Sequence, residues 1–234
     1  MVIFSGFFEP LFYLVAVGFG VGRLIKTLPF GGKEIAYAAF VAPGMLAASC
    51  LNGAITDGFF NPFFKLHHTK TYDGILATPM SVRDIALGEM MWAQIRGSIY
   101  SVGFLTVMLA LGLILSPWAL LALPAAMLTA GAFSAGAMVL TSYAKGLRSF
   151  DKILNLIVFP LFLFSGTFFP VSLYPAALQP IVKLSPLYHA STLLRGLTTG
   201  VLGPGILWNA IYLITMFVVA SAIAMQRLER ALIK

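Results

Sequence analysis

Long apolar runs restrict the fold of this 234-residue chain more than any other feature of its sequence. A helix that crosses a lipid bilayer needs about 20 consecutive, mostly apolar residues. Six such runs cover residues 3–24, 35–59, 92–115, 118–143, 153–169 and 206–225. Because backbone polar groups inside lipid must find partners within the chain, each run is predicted to be a helix. The sequence therefore predicts an all-α, polytopic membrane protein with one transmembrane domain over residues 1–234.

The composition excludes an ordinary soluble protein. Hydrophobic residues make up 59% of the chain and charged residues only 10%, whereas soluble domains contain about 25% charged residues. The net charge of +7 would suggest nucleic acid in a soluble protein. Here the basic residues lie at the ends of apolar runs, where they anchor loops and set orientation. We therefore expect lipid around the chain and no nucleic-acid partner.

The distribution of Lys and Arg over alternate loops predicts the orientation. One side holds ten of them and the other holds five. The richer side comprises Lys65, Lys70, Arg83, Arg96, Lys145, Arg148, Lys152, Arg227, Arg230 and Lys234, and the poorer side Arg23, Lys26, Lys33, Lys183 and Arg195. Since the richer side faces the cytoplasm, both termini are predicted to be cytoplasmic. The start of the chain has no basic region typical of a signal peptide, so the first run is expected to be a retained helix.

Two segments lie outside the predicted spans. Residues 61–89 are the most hydrophilic part of the chain, and a short apolar turn within them ends at Pro79. This pattern favours a short helix on the cytoplasmic face that docks a soluble partner, with a solvated loop as the alternative. Residues 170–204 contain five prolines and are too broken to span. They are predicted to form a pair of short re-entrant or interfacial helices on the outer side, over about 175–184 and 187–199, with an ordinary external loop as the alternative.

No catalytic or metal-binding constellation is visible. Gly31-Gly32-Lys33 lacks the upstream glycine of a phosphate-binding loop and is followed by Glu34, so the chain is predicted not to hydrolyse ATP by itself. His67 and His68 are adjacent, point about 100° apart on a helix, and have no Cys or carboxylate at ligand spacing. We therefore expect no catalytic residues, no metal and no cofactor.

Two carboxylates, Glu9 and Asp57, fall within or near apolar runs, and Asn52 lies about one turn before Asp57. A carboxylate inside the bilayer is costly and should face protein or water. One interpretation is a polar lining at the inner mouth of a transport pathway. The other is that these side chains snorkel or are hydrogen-bonded locally.

Glycines mark the predicted sites of close helix packing. The first span contains Gly18 and Gly22, and the fourth contains Gly131 and Gly136 among other small residues. Small residues let helix backbones approach closely in lipid. We expect these contacts within one subunit, and a subunit interface is the alternative.

The order of short motifs along nearly the whole chain resembles one transporter family. These motifs are Phe8 to Leu14 and Gly18 to Gly22 in the first span, Ala42 to Met45 in the second, Tyr72 to Ser81 with Gly88-Glu89, Phe164 to Pro170, Ser185 to Ala190, and Leu194 to Gly196. They resemble the membrane subunit of type-2 ATP-binding-cassette (ABC) exporters. The most similar branch contains nodulation-factor (lipo-oligosaccharide) and daunorubicin-type drug export permeases.

The resemblance implies a half-transporter in the bacterial inner membrane. Two six-helix subunits, identical or homologous, would pair and receive two cytoplasmic ABC ATPase subunits. The residues implied to couple the permease to its ATPase are Asp73, Gly74, Ile75, Leu76, Thr78 and Pro79. The implied substrate is an amphipathic or lipid-linked molecule: a lipo-oligosaccharide, a drug or a glycolipid. Family members begin with a cytoplasmic amphipathic helix, whereas Met1 opens almost directly onto the apolar run. A fragment, a misassigned start codon or a true lack of that helix would each explain this departure.

Two other classes of function remain as alternatives. An ATP-independent secondary carrier or channel would need an ionisable site near the middle of the membrane. A membrane-embedded enzyme acting on lipids would need paired catalytic groups at one interface, and only His189 near Arg195 and Tyr188 comes close. An adjacent gene for an ATPase would favour the exporter over both.

Overall fold

The computed structural model describes residues 8, 11–12, 14–144, 146 and 148–232. The elements in chain order are α1 (Leu14–Gly20, π-helical), β1 (Thr27–Phe30), β2 (Lys33–Ala36), α2 (Tyr37–Ile55), α3 (Asn61–His67), α4 (Thr71–Leu76), α5 (Val82–Ala110), α6 (Ala122–Tyr143), α7 (Arg148–Ile153), α8 (Phe159–Leu163), α9 (Gln179–Leu184), α10 (Pro186–Thr199) and α11 (Ile206–Leu232). Short π or 3-10 turns occur at Val21–Arg23, Thr56–Phe60, Pro117–Leu121, Leu154–Val158 and Val171–Leu173. The all-α class is confirmed.

The helices pack around α2 and α6. Nearly every residue of α2 is buried, as expected of a helix that is apolar on all sides. α6 packs against α2, α5 and α11. Much of α11 is exposed and apolar, with Leu207, Ile211, Ile214 and Val218 on its outer surface, so lipid rather than protein is the environment that suits this face.

Among the described residues, three helical stretches are long and apolar enough to cross a membrane. These are Tyr37–His67, which joins α2 to α3, Pro117–Tyr143, which includes α6, and Ile206–Leu232, which is α11. The stretch Tyr37–His67 extends beyond the predicted run of 35–59 because a π turn at Thr56–Phe60 continues α2 into α3 without a break. The third predicted run begins earlier than expected, since α5 starts at Val82 rather than near residue 92.

The fifth predicted run is shorter than expected. Helical structure begins at Arg148 and ends at Leu163, so the prediction of a helix through residue 169 was wrong at its end. In the loop that follows, Gly166 adopts a φ of +68°. Residues other than glycine rarely adopt this backbone conformation. The loop carbonyls accept hydrogen bonds from α10 rather than from a continuing helix.

A β-hairpin between α1 and α2 was not predicted. β1 and β2 pair antiparallel with Phe30 opposite Lys33. Gly31 and Gly32 have φ values of +60° and +78°, and a two-residue hairpin turn with positive φ at both positions matches the right-handed twist of the strands. Strands of four residues are too short to produce a clear alternating pattern in the sequence.

The segment between α8 and α11 contains short helices close to the predicted positions. α9 ends at Leu184, and α10 runs from Pro186 to Thr199. α10 packs against α2, α6 and α11, and almost all of its residues are buried. An isolated external loop therefore does not describe this segment; its depth in the membrane remains a prediction.

Candidate functional site

One end of the bundle carries a compact platform, which we define as residues 65–89. It contains the end of α3, the six-residue helix α4 and the start of α5. Tyr72 in α4 is completely buried. Its neighbours in the same apolar cluster come from α5, α6 and α11, among them Ile85, Met138 and Leu228. The short helix is therefore anchored where three long helices meet.

An ion pair connects the first and last parts of the platform. Lys65 Nζ lies 2.6 Å from Glu89 Oε1 and joins α3 to α5, and the Glu89 side chain is only 11% exposed. Burial raises the pKa of the Tyr72 phenol, and the nearby Glu89 carboxylate adds to the rise. Tyr72 is therefore neutral at physiological pH and serves as an apolar anchor.

The end of the platform is fixed by a capping box at the start of α5. The Asp84 amide donates to Ser81 Oγ at 3.3 Å, and the Ser81 amide donates to Asp84 Oδ2 at 2.8 Å. The hydroxyl and amide of Ser81 lower the pKa of Asp84. In the preceding turn the Thr78 hydroxyl donates to the Ile75 carbonyl at 2.6 Å. These local bonds hold the loop between α4 and α5 in one shape.

The six predicted coupling residues fall into two groups. Asp73, Gly74, Thr78 and Pro79 are exposed. Ile75 and Leu76 are half-buried and pack against the Tyr72 cluster. The platform thus presents a small polar surface on a rigid apolar support, a geometry suited to contact with another protein.

The predicted pathway residues are placed differently. Asp57 is 2% exposed, and its Oδ1 accepts bonds from Arg96 Nη1 at 2.7 Å and from Asn61 Nδ2 at 3.0 Å. Asn52 is half-buried, and Glu9 lies outside the described residues. The pathway role stays a prediction, and the burial of Asp57 favours the alternative of local hydrogen bonding.

The predicted packing glycines contact helices of the same chain. A Cβ at Gly131 would lie 2.9 Å from Gln94 Oε1, one at Gly136 would lie 3.3 Å from Met216 Cε, and one at Gly18 would lie 3.5 Å from Ala38 Cβ of α2. Gly22 has more room, with Tyr37 Cδ1 at 3.8 Å. This geometry favours packing within one subunit.

Tighter approaches occur at glycines that the sequence analysis did not select. A Cβ at Gly58 would lie 2.6 Å from the Ser134 carbonyl oxygen, and one at Gly97 would lie 2.5 Å from Ala130 Cβ. Both glycines contact the stretch of small residues in α6, Ala130 to Gly136. A search for glycines on helices that could face this stretch would have identified them.

Arg195 organises the opposite end of the bundle. It is 4% exposed, and its Nε donates to the Phe40 carbonyl at 2.9 Å. Its Nη2 donates to the carbonyls of Gly166 and Thr167 at 3.0 and 3.3 Å. The guanidinium also lies 3.7 Å from the centre of the Phe40 ring. Arg195 therefore joins α10, α2 and the loop after α8.

His189, the other residue considered for lipid chemistry, contacts an amide instead of a catalytic partner. Its Nδ1 lies 2.7 Å from Asn209 Oδ1, and its ring stacks on Tyr212 with 3.9 Å between centroids. No carboxylate or nucleophilic hydroxyl is hydrogen-bonded to it among the described residues, so this geometry supplies no acid–base pair.

Comparison with known proteins connects this architecture to a family. The family model described as ABC-2 type transporter matches residues 1–199. The chain belongs to the ABC-2 type transporter family. It is similar to Nodulation protein J of Rhizobium leguminosarum bv. viciae, with 31% identity over 95% of this chain and 86% of that protein. It is also similar to Nodulation protein J of Rhizobium meliloti (strain 1021), with 31% identity over 82% of this chain and 72% of that protein. For Nodulation protein J of Sinorhizobium fredii (strain NBRC 101917 / NGR234) the identity is 33% over 80% of this chain and 70% of that protein. No solved structure matches significantly.

As an ABC-2 type permease, the chain is a multi-pass membrane protein and the membrane subunit of a transporter. Membership of this family implies an ATPase partner and a dimeric arrangement.

Proposed function

We propose that this permease is one half of an ATP-driven exporter in the bacterial inner membrane. Two six-span subunits, as copies or paralogues, would combine with two ABC ATPase subunits. The spans correspond to the six apolar runs, with the fifth ending at Leu163, and both termini and the platform face the cytoplasm. The complex moves an amphipathic or lipid-linked molecule outward.

The observation that carries this proposal is the anchored helix α4. Its exposed residues Asp73 and Gly74 lie next to the fully buried Tyr72, which belongs to one apolar cluster with residues of α5, α6 and α11. A force applied to the exposed side of α4 would act on α5 directly and on α6 and α11 through this cluster. Packed helices shift as units rather than deform continuously, so closure of the ATPases would tilt the bundle.

The apolar surroundings and the names of the relatives support the proposed substrate class. A path between apolar helices with few charges suits amphipathic cargo better than small ions. The relatives described above are named Nodulation protein J. This name, together with the resemblance to lipo-oligosaccharide permeases, favours a lipo-oligosaccharide over a drug or another glycolipid.

The coupling role is tested by Gly74→Gln. A Cβ at Gly74 meets no atom within 4 Å, so the longer side chain extends from the surface without disturbing the permease. We expect at least a ten-fold loss of ATPase co-purification and of substrate-stimulated ATP hydrolysis. A charge at Leu76 should also abolish stimulation, but Leu76→Glu disturbs the packing around Tyr72 as well, which makes Gly74→Gln the sharper variant.

Ala176→Gln is the matched control, since Ala176 is exposed in the turn before α9 at the other end of the molecule. It should retain normal co-purification and stimulation. Normal stimulation in Gly74→Gln would remove the coupling role of this surface. Full transport by the permease in vesicles that contain no ATPase would overturn the exporter in favour of a secondary carrier.

A further inference from the structure

A cleft lies between α9, α10, the start of α11 and the hairpin. Its volume is about 640 Å³, within the range of small-molecule sites. Its polar and aromatic lining includes Lys183, Tyr188, His189, Trp208, Asn209 and Tyr212. None of these residues has a role in the platform or in its contact with the ATPase.

The cleft and the platform lie at opposite ends of α11. Leu228 packs in the Tyr72 cluster of the platform, whereas Asn209 lines the cleft. Nineteen residues separate the two positions on one helix, which corresponds to about 28 Å at 1.5 Å per residue. This is close to the thickness of the hydrocarbon core of a bilayer. If the platform is cytoplasmic, the cleft opens at the outer face.

A buried polar pair in the cleft has open hydrogen-bonding positions. His189 and Asn209 are each 5% exposed. Because a carboxamide oxygen can only accept, His189 Nδ1 donates to Asn209 Oδ1, and in the neutral imidazole Nε2 is then an acceptor. No hydrogen bond among the described residues occupies His189 Nε2 or Asn209 Nδ2. The cleft thus offers an acceptor beside a donor, which is the pattern that neighbouring hydroxyl groups complement.

Aromatic rings line the cleft beside this polar pair, together with aliphatic side chains such as Leu184 and Val201. Tyr212 stacks on His189, and its hydroxyl donates to the Leu184 carbonyl at 2.9 Å, so the ring is held in place. Trp208 stands 64% exposed beside Asn209 on α11. Such rings offer apolar faces to a ligand that has both apolar and polar surfaces. No carboxylate is found among the described residues that line the cleft, and Lys183 supplies one positive charge.

We propose that this cleft binds the sugar headgroup of the exported molecule at the outer face. A sugar ring combines apolar faces with hydroxyl edges, and both match the lining. This inference rests on the proposed function, which supplies an amphipathic substrate and the outward direction. The His189–Asn209 pair would bind the hydroxyl groups, and the rings of Trp208 and Tyr212 would contact the apolar faces.

Asn209→Leu tests the proposal, because leucine has a similar volume and no hydrogen-bonding group. The permease–ATPase complex in lipid nanodiscs is titrated with a radiolabelled tetrasaccharide that carries one fatty acyl chain, and separately with the fatty acid alone. We expect at least ten-fold weaker binding of the acylated sugar and unchanged binding of the fatty acid. The control is Asn155→Leu, since Asn155 is exposed and bonds only to the Asp151 carbonyl of its own helix. Equal binding of the acylated sugar by wild type and Asn209→Leu would overturn the proposal.

A second measurement leaves the cleft intact and does not depend on the folding of Asn209→Leu. The chain has three tryptophans. Trp92 and Trp118 are each 51% exposed, so both can be replaced by phenylalanine. The double variant Trp92→Phe and Trp118→Phe keeps Trp208 as the single tryptophan of the permease. Titration with the free tetrasaccharide should shift Trp208 emission in a saturable way. Unchanged emission would overturn the proposal. A saturable shift combined with no ATP-driven transport of the acylated sugar would support the cleft as a sugar site and count against the proposed export.

Discussion

Arg195 shows how one buried charge can be satisfied without an acidic partner. Its guanidinium is held by three backbone carbonyls and lies over the Phe40 ring. Five N–H donors in a planar fork allow this arrangement, which a lysine ammonium cannot reproduce. The residue thereby fixes the loop after α8 against α2.

Arg195→Gln should lower the stability of the permease substantially. Shortening the side chain leaves buried carbonyls without donors, at a cost of about 1–3 kcal/mol each. Thermal unfolding in detergent should show a clearly reduced midpoint for Arg195→Gln and also for Arg195→Lys. Arg83→Gln is the control because Arg83 is exposed on α5. An unchanged midpoint in Arg195→Gln would show that these hydrogen bonds contribute little.

The Asp57–Arg96 ion pair is a second case in which burial determines how strongly a substitution affects stability. The side chains are 2% and 16% exposed and lie 2.7 Å apart. Removing one partner of a buried pair leaves an uncompensated charge and costs about 3–5 kcal/mol, whereas neutralising both costs less. We expect Asp57→Asn and Arg96→Gln each to destabilise the protein more than the double variant does. A double-mutant cycle on thermal unfolding measures this coupling, and additive effects would contradict it.

At the scale of elements, the molecule depends on glycines that bring helices into contact. The turn at Thr56–Phe60 crosses α6 so closely that Gly58 faces the Ser134 carbonyl. The hydroxyl of Thr141 in α6 also donates to the Gly58 carbonyl at 3.0 Å. Close backbone approach and interhelical bonds of this kind stabilise helix pairs in lipid, where the hydrophobic effect does not drive association.

Gly58→Ala should therefore destabilise the permease. The added methyl group would lie 2.6 Å from a backbone oxygen, so one helix must move, at a cost of about 1–3 kcal/mol. The matched control is Gly88→Ala in α5, where a Cβ meets nothing within 4 Å and higher helix propensity adds up to about 1 kcal/mol of stability. Thermal unfolding of both variants checks the prediction. If Gly58→Ala and Gly88→Ala have the same unfolding midpoint, the turn at Gly58 can move away from α6 without a loss of stability.

The elements themselves were predictable to different degrees. α2, α6 and α11 follow from long apolar runs, and α10 follows from the proline at its start and the glycine after its end. The break at Leu163 was not predicted, because the apolar run resumes at Phe168-Phe169 after the short stretch Ser165-Gly166-Thr167. Contacts with Arg195, 32 positions after Leu163, determine where this helix stops.

At the scale of the whole molecule, the predicted orientation places the platform and the cleft on opposite faces of the membrane. Cys50 is the only cysteine in the chain and is buried, so Cys50→Ala gives a clean background for labelling. Asp73→Cys lies on the platform and Ala176→Cys lies at the other end. In whole cells a membrane-impermeant maleimide should label Ala176→Cys, and should label Asp73→Cys only after the cells are opened. The reverse pattern would invert the orientation and with it the proposed coupling surface.

Apolar runs alone determined that this chain is a helical membrane protein, because lipid leaves the backbone almost no other way to satisfy its hydrogen bonds. The motifs along the chain also pointed to the transporter family before any contact was known. Only the tertiary structure decided that Tyr72 anchors the platform, that Asp57 is paired with Arg96, and that His189 and Asn209 share a cleft. Residues far apart in sequence make these contacts, and a pattern of neighbouring residues carries no information on which distant side chains will meet.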